Sequence, residues 1–487
     1  MAEKPEPLVL NLPLPTGDVL DLYRRVKQPG RPSFLLDSAK GNRASAQYSY
    51  IGSDPYLHYV GREGSYELRT RDRTTVHHGD AFATLAAMLR ASYLPRPEGL
   101  PPFFGGAIGY FGYDLVRRFE VLPTIAAEDE CWPDLEFSFV ELITAIDHDH
   151  NCMQLIFAPP LVRLLGEPRE KLYREGCDRL AELEARLTAP VVEISQSLPN
   201  TPLALHPNLS RSEYMERVTR CQEYIAAGDL YQANLSHRFA VDLGVQAEAG
   251  GNDQAVALYA RLRRVNPAPF SALLEFDELS LVSSSPERLV RLTDRRAETR
   301  PIAGTRPRGG NAAEDRHLAE DLLMNAKERA EHLMLVDLER NDLGRVCRCG
   351  TIRADEFMVV ERYSHVSHLV SNITGELRDG LDGFDLIQAM FPGGTITGVP
   401  KIRCMQIIES LEPVRRGPYT GSLGYVSWSG DLDLNIIIRT LVLRGGRGYL
   451  QVGAGIVADS DPAREYQETL YKAGALIEAL GEVKSDQ

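Results

Sequence analysis

The chain has 487 residues, enough for two or three domains, and its 43% hydrophobic and 25% charged content is that of an ordinary globular protein. A net charge of -14 argues against nucleic acid as a partner, since that affinity needs a basic face to displace counterions, and leaves small molecules and proteins. Seven scattered cysteines are no disulfide framework, MAEKPEPLVLNLPLP is too interrupted for a signal peptide, and no apolar window of about 18 residues occurs, so a cytoplasmic protein without a membrane segment is expected.

In chain order, residues 1–187 mix short β-like runs (SFLLDS, YSYIGS, SFVELITAI, MQLIFAP) with the glycine-rich FFGGAIGYFGYD and close on the helical REKLYREGCDRLAELEARL. They are expected to form an N-terminal domain. Residues 188–210, rich in Pro, Ser and Asn with no sustained period, are expected as a linker, and 211–480 as a second domain. There SRSEYMERVTRCQEYIAAGD predicts a helix capped by Ser210 or Ser212 and stopped by Gly228. YQANLSHRFAV follows as a strand, ALYARLRRVN as a helix, and FSALLEF with LSLVSSSP as a hairpin. A single helix is expected from about 314 to 340, then strands SLGYVSWS, DLNIIIRTLVL and YLQVGAGIV, and a last helix from about 462 to 480. Hairpin-like pairs dominate, so the fold class is α+β, largely antiparallel sheets with helices outside. No internal repeat is visible.

Four features can carry chemistry. Glu328 and Glu331, in AKERAEHLMLVDLERND, share a helix face, as do Glu465 and Glu468, with Lys472 one turn on. If these pairs face each other they offer hard oxygen ligands suited to Mg²⁺; taken singly, each reads as a solvated helix face. FPGGTITGVPK and VGAGIVADSD offer backbone N–H groups for an anion, with Thr395 and Thr397 as extra donors and Lys401 as countercharge, or are simply tight turns. Arg439 interrupts an apolar run and needs a carboxylate partner, from the chain or from a ligand. Glu287 and His368 are titratable groups beside apolar strands, each more often structural than catalytic.

RPIAGTRPRG, SPER, KERAEHLMLVDLERNDLGRV, FPGGTITGVPK, GPYTGSLGY, LNIIIRTL and GAGIVADSDPAREYQETLYKA, in this order and at these separations, resemble the chorismate-utilising enzymes. The family includes anthranilate synthase component I, aminodeoxychorismate synthase component I and the isochorismate and salicylate synthases. The likeness is dense from about 215 to 475, and LLDS, YSYIG and GGAIGYFGYD extend it into the N-terminal domain. It implies an anthranilate-synthase-like α/β sandwich with a chorismate-binding catalytic domain. It also implies Mg²⁺ on Glu328, Glu331, Glu465 and Glu468, with Glu331 and Glu468 as the direct ligands. Tyr419 and Arg439 would clamp the enolpyruvyl carboxylate, and Gly304, Thr305, Thr395, Gly453, Gly455 and Lys472 would line the site. Glu287 would protonate the departing 4-hydroxyl, His368 would lie near the ring carboxylate, and Ala303 would be small because it faces the ring.

The water-adding branches resemble one another in a lysine base where this chain has Gln232, and an amide cannot act as a base. The aminating branches remain. YQANL, NPAPFSALL, LLDSA and GGTITG resemble aminodeoxychorismate synthase, whereas PIAGT and RYSHVSHLVSN resemble anthranilate synthase, since the former usually carries a lysine at position 303. The motif balance favours aminodeoxychorismate synthase component I, acting on chorismate and ammonia. Anthranilate synthase component I is the alternative, and a non-catalytic chorismate or tryptophan sensor the second. None of the cysteine contexts resembles a glutaminase nucleophile turn, so a separate glutamine amidotransferase subunit is implied, and tryptophan is a possible ligand of the N-terminal domain.

Overall fold

The computed structural model describes residues 6–15, 17–38, 47–190, 203–244, 253–362, 366–481 and 483–484. Two large sheets, of 13 and 12 strands, form its frame. Among the described residues every strand pair is antiparallel except Leu203–Pro207 with Val483–Lys484.

Period-2 alternation decides how the layers stack. In the 13-stranded sheet, Phe34, Ala272, Leu274 and Leu281 join a core with Phe103, Leu434 and Tyr425, residues associated with the other sheet. The intervening Leu35, Leu273 and Val282 point the opposite way, into a second core. There they meet residues of the helices Val19–Val26, Arg169–Thr188, Asp253–Val265 and Pro462–Leu480. Helices Ala81–Ala91, Ala326–Gly344 and Gly383–Met390 pack on the 12-stranded sheet. The architecture is thus a sandwich with helices outside.

Both sheets take strands from either side of the 188–210 segment. Ser33–Asp37 pairs with Phe270–Glu275, and Gly106–Phe111 pairs with Ser422–Ser427. Within that segment, 191–202 lie outside the described residues, and Leu203–Pro207 is a strand beside Gln232–Asp242.

Two expected elements differ. The helix read from about 314 to 340 is two helices, Ala312–Met324 and Ala326–Gly344, because Asn325 takes an extended conformation and its side chain accepts from the amides of Lys327 and Glu328. The run DLNIIIRTLVL is two strands in different sheets, Leu432–Ile436 and Thr440–Arg444. The chain crosses between them at Arg439, whose φ of 51° ends the extended course.

Candidate active site

The Ala326–Gly344 helix carries Glu328 and Glu331, the Pro462–Leu480 helix carries Glu465 and Glu468, and the two approach closely enough for Glu331 to feel Glu468. Burial, followed by the charge of Glu328, holds the Glu331 carboxyl above its ordinary range, and Glu468 adds to this. Glu465 is raised by burial and then by Glu468, against a 2.7 Å hydrogen bond from the Ser460 hydroxyl. Arg306 pairs with Glu328 at 3.0 Å and Lys472 with Glu468 at 2.8 Å. Among the described residues no three His, Cys, Asp or Glu side chains close around one point. Mg²⁺ needs only one or two protein carboxylates and takes the rest of its shell from water and substrate. A set of hard oxygen donors that repel one another across two helices therefore fits that ion.

Glu287, 7% exposed after the Leu279–Ser285 strand, lies close enough to three other expected site residues to feel them. Burial pushes its carboxyl up to about 7, opposed by a hydrogen bond with Thr395 and by the charges of Lys472 and Arg439. Burial in turn lowers the Arg439 guanidinium, which Glu287 and Tyr419 partly offset. Among the described residues no carboxylate closes an ion pair with Arg439, and Glu287 acts on it only through its charge. Lys401, expected as countercharge for the glycine-rich turn, is instead paired with Asp342 and donates to the Met390 carbonyl at 3.1 Å. Thr397 is likewise spent internally, on the Gly393 carbonyl at 2.9 Å.

Strands Gln232–Asp242 and Arg447–Ile456 form one wall, with Asn234 opposite Gly455 and Ser236 opposite Gly453. A Cβ on Gly453 would lie 2.9 Å from the Tyr419 hydroxyl, and one on Gly455 would lie 2.6 Å from Nε2 of Gln232. Both glycines therefore let polar groups approach the backbone closely. Nε2 of Gln232 donates to Glu331 at 3.4 Å, which joins this wall to the acidic helices, and Nζ of Lys472 donates to the Gly453 carbonyl at 3.0 Å.

The opposite wall is a β-bulge. Strand Ile302–Pro307 pairs Ala303 with Leu369 and Thr305 with His368, and the register slips at Gly304, whose φ is 64°. A Cβ there would meet Leu322 at 2.7 Å and Oε2 of Glu328 at 2.8 Å, so the missing side chain is what lets the helices close on the strand. Ala303 is buried at 5%. His368 hydrogen-bonds the Gly304 backbone, yet burial takes its imidazole down to about 4, so it is neutral at ordinary pH.

Sequence reading missed three groups here. Asn234 leaves Oδ1 buried without a partner, as Gln232 leaves Oε1. Glu339 is pushed up to about 8 by burial and then by Asp342, and it also feels Glu287. Arg416 is buried against Glu412 at 2.6 Å. The i,i+4 spacing of Glu412 and Arg416 was the one available signal; nothing local marks Asn234 or Glu339.

Fold and site together define a chorismate binding enzyme: that family's pattern matches residues 31–478, and the chain belongs to the family. Aminodeoxychorismate synthase component 1 from Bacillus subtilis is 40% identical over 482 residues, 99% of this chain and 98% of its own length. Anthranilate synthase component 1 from Thermus thermophilus is 42% identical over 463 residues, 94% of each chain. The crystal structure of anthranilate synthase component I from Streptococcus pneumoniae superimposes with a TM-score of 0.76 at 32% identity, covering 89% of this chain and 92% of that one.

Proposed function

We propose that the chain is component 1 of an aminodeoxychorismate synthase, replacing the 4-hydroxyl of chorismate with ammonia to give 4-amino-4-deoxychorismate and water. The observation that carries an elimination of hydroxyl is Glu287, a buried carboxyl raised to about 7 and so still partly protonated near neutrality. As the C–O bond breaks, its electron pair leaves on oxygen. Glu287 gives that oxygen its proton, and the incoming amine gives up a proton in return. Tyr419 and Arg439 hold the enolpyruvyl carboxylate, which gives the guanidinium an ion-pair partner that no described residue provides. Neutral His368 lies near the ring carboxylate, and Thr395, Gly304, Gly453, Gly455 and Lys472 line the pocket. Glu331 and Glu468 would hold Mg²⁺, with Glu328 and Glu465 behind them; when bound, it neutralises the ring carboxylate.

Ammonia on this reading comes from a separate glutamine amidotransferase. The buried thiols Cys221 and Cys404 are raised to about 12 and Cys347 to about 11, the reverse of what a glutaminase nucleophile needs. Tryptophan, if it binds, has a cavity of about 700 Å³ lined by Ser38, Tyr48, Arg291, Tyr425 and Asp433 among others.

Anthranilate synthase component 1 is the second reading, favoured by Ala303, where the usual aminodeoxychorismate synthase lysine is missing. Chromatography with fluorescence detection decides between them. Chorismate, Mg²⁺ and ammonium salts should give 4-aminobenzoate once the matching lyase is added, glutamine alone should give nothing, and Ala303→Lys should retain or improve the 4-amino product. Anthranilate as the main wild-type product overturns the first reading, and failure to consume chorismate at all would leave a sensor.

A further inference from the structure

Arg416 is 3% exposed and lies three residues before Tyr419. A guanidinium has five N–H donors in a fixed fork, and this one spends all five. Nε donates to Oε2 of Glu412 at 2.8 Å, and Nη2 donates to Oε1 of Glu412 at 2.6 Å and to the Asn234 carbonyl at 2.7 Å. Nη1 donates to the Ile396 carbonyl at 2.9 Å and to Oγ1 of Thr420 at 3.2 Å. The Thr420 hydroxyl in turn donates to the Tyr419 carbonyl at 2.6 Å, and the guanidinium lies 5.7 Å from the Tyr419 ring centroid.

The acceptors belong to three separate walls. Ile396 follows Thr395, the hydrogen-bond partner of Glu287. Asn234 sits opposite Gly455 on the strand wall, and Thr420 follows Tyr419. Glu412 ties the cation back to that strand again, since its Oε1 accepts from the Ser236 amide at 2.8 Å and hydroxyl at 2.9 Å. Behind the hub stand residues of the N-terminal stretch. The Tyr113 ring lies 4.8 Å from the guanidinium, the Tyr113 amide donates to the Gly417 carbonyl at 2.7 Å, and Oδ2 of Asp114 accepts from the Gly417 amide at 3.0 Å.

We propose that Arg416 is a positioning residue for substrate binding, holding Tyr419, the 394–396 turn and the strand wall in one register without touching the substrate. The inference rests on the reading above that Tyr419 meets the enolpyruvyl carboxylate. That contact is made alike in the bound substrate and the transition state, so loosening it raises KM and spares kcat. A lysine keeps the charge but gathers its three donors on one nitrogen and cannot reach three walls.

The test is steady-state kinetics on chorismate with Mg²⁺ and ammonium for Arg416→Lys, Tyr419→Phe and the double variant. Arg416→Lys should raise KM about tenfold or more with kcat within about threefold of wild type, and should cost little further in the Tyr419→Phe background. Unchanged KM, or fully additive effects of the two substitutions, overturns the proposal. If Arg416→Lys does not fold, Thr420→Val cuts the Arg416–Thr420–Tyr419 link and should raise KM, while Thr420→Ser, which keeps the hydroxyl, should restore it. Equal KM values for those two variants also overturn it. A wild type that does not consume chorismate removes the functional reading and this inference together; an active wild type with insensitive variants removes only this inference.

Discussion

Nε2 of Gln232 stands 3.4 Å from Oε1 of Glu331, so the neutral side chain at the end of a strand touches a carboxylate that already feels the charges of Glu328 and Glu468. An ammonium placed there would pair with Glu331 and compete with a divalent cation for it. Gln232→Lys should therefore lose activity at limiting Mg²⁺ and recover much of it in excess Mg²⁺. A Mg²⁺ titration of chorismate consumption checks this, and an unchanged half-saturation point counts against the cation site.

Glu331→Gln and Glu468→Gln should each reduce turnover by about a hundredfold or more, since an amide is a far weaker ligand than a carboxylate. Neither should unfold the protein. Removing charge from a cluster in which Glu331 is already raised by burial and by Glu328 relieves repulsion, so the melting temperature without Mg²⁺ should hold or rise. Near-normal turnover at limiting Mg²⁺ in either variant would discard the assignment.

The acid at Glu287 predicts a pH dependence of definite sign. Its carboxyl is raised from 4.5 to about 7 in the fold, so the folded chain binds that proton more tightly than the unfolded chain. The stabilising contribution is complete below about pH 4.5 and is lost as pH rises through about 7, up to about 3 kcal/mol in all. kcat/KM should fall on the alkaline side of pH 7 as the acid ionises. Glu287→Gln should be inactive yet gain stability relative to wild type between pH 5 and 8. Parallel thermal melts across that range check the sign, and a constant gap between the two proteins would show that Glu287 is not raised.

Gly304→Ala should destabilise the fold by about 1–3 kcal/mol, because φ of 64° disfavours a side chain and the new Cβ would press on Leu322 and Glu328. Displacing Glu328 should also raise the Mg²⁺ concentration needed for half-maximal turnover. A variant with wild-type melting and wild-type Mg²⁺ response would mean that the bulge can relax at no cost.

Much of this was legible in the chain because it is written at short range. Glu328 with Glu331, and Glu465 with Glu468, declare shared helix faces by spacing, and Ser210 with Glu213 forms a reciprocal cap at the helix start it predicts. What was not legible depends on tertiary choices. Asn325 is an acceptable residue inside a helix until its side chain turns back to cap the next one. Arg439 looks like a charge within a strand, and only the need of Leu432–Ile436 and Thr440–Arg444 to serve different sheets makes it a crossing point. Lys401 reads as an anion-binding residue beside a glycine-rich turn, but Asp342, some 60 positions earlier, claims it first. Arg416 shows its i,i+4 spacing to Glu412, but the two distant acceptors it also gathers, the carbonyls of Ile396 and Asn234, are announced by no local pattern.

The pairing of Gly106–Phe111 with Ser422–Ser427 has a consequence for how the protein is made. Ile108 and Tyr425, partners in that ladder, are roughly 300 residues apart, and ribosomes add about 5–20 residues per second. For about 15 to 60 seconds after Gly106–Phe111 emerges, this edge has no mate on the Ser422–Ser427 side, although Phe104, Ile108 and Phe111 are all destined for full burial. Synthesis thus exposes a sticky apolar ribbon for most of its duration. Yield of native protein should accordingly depend on holdase chaperones and on slow, cool expression more steeply than its final stability would suggest.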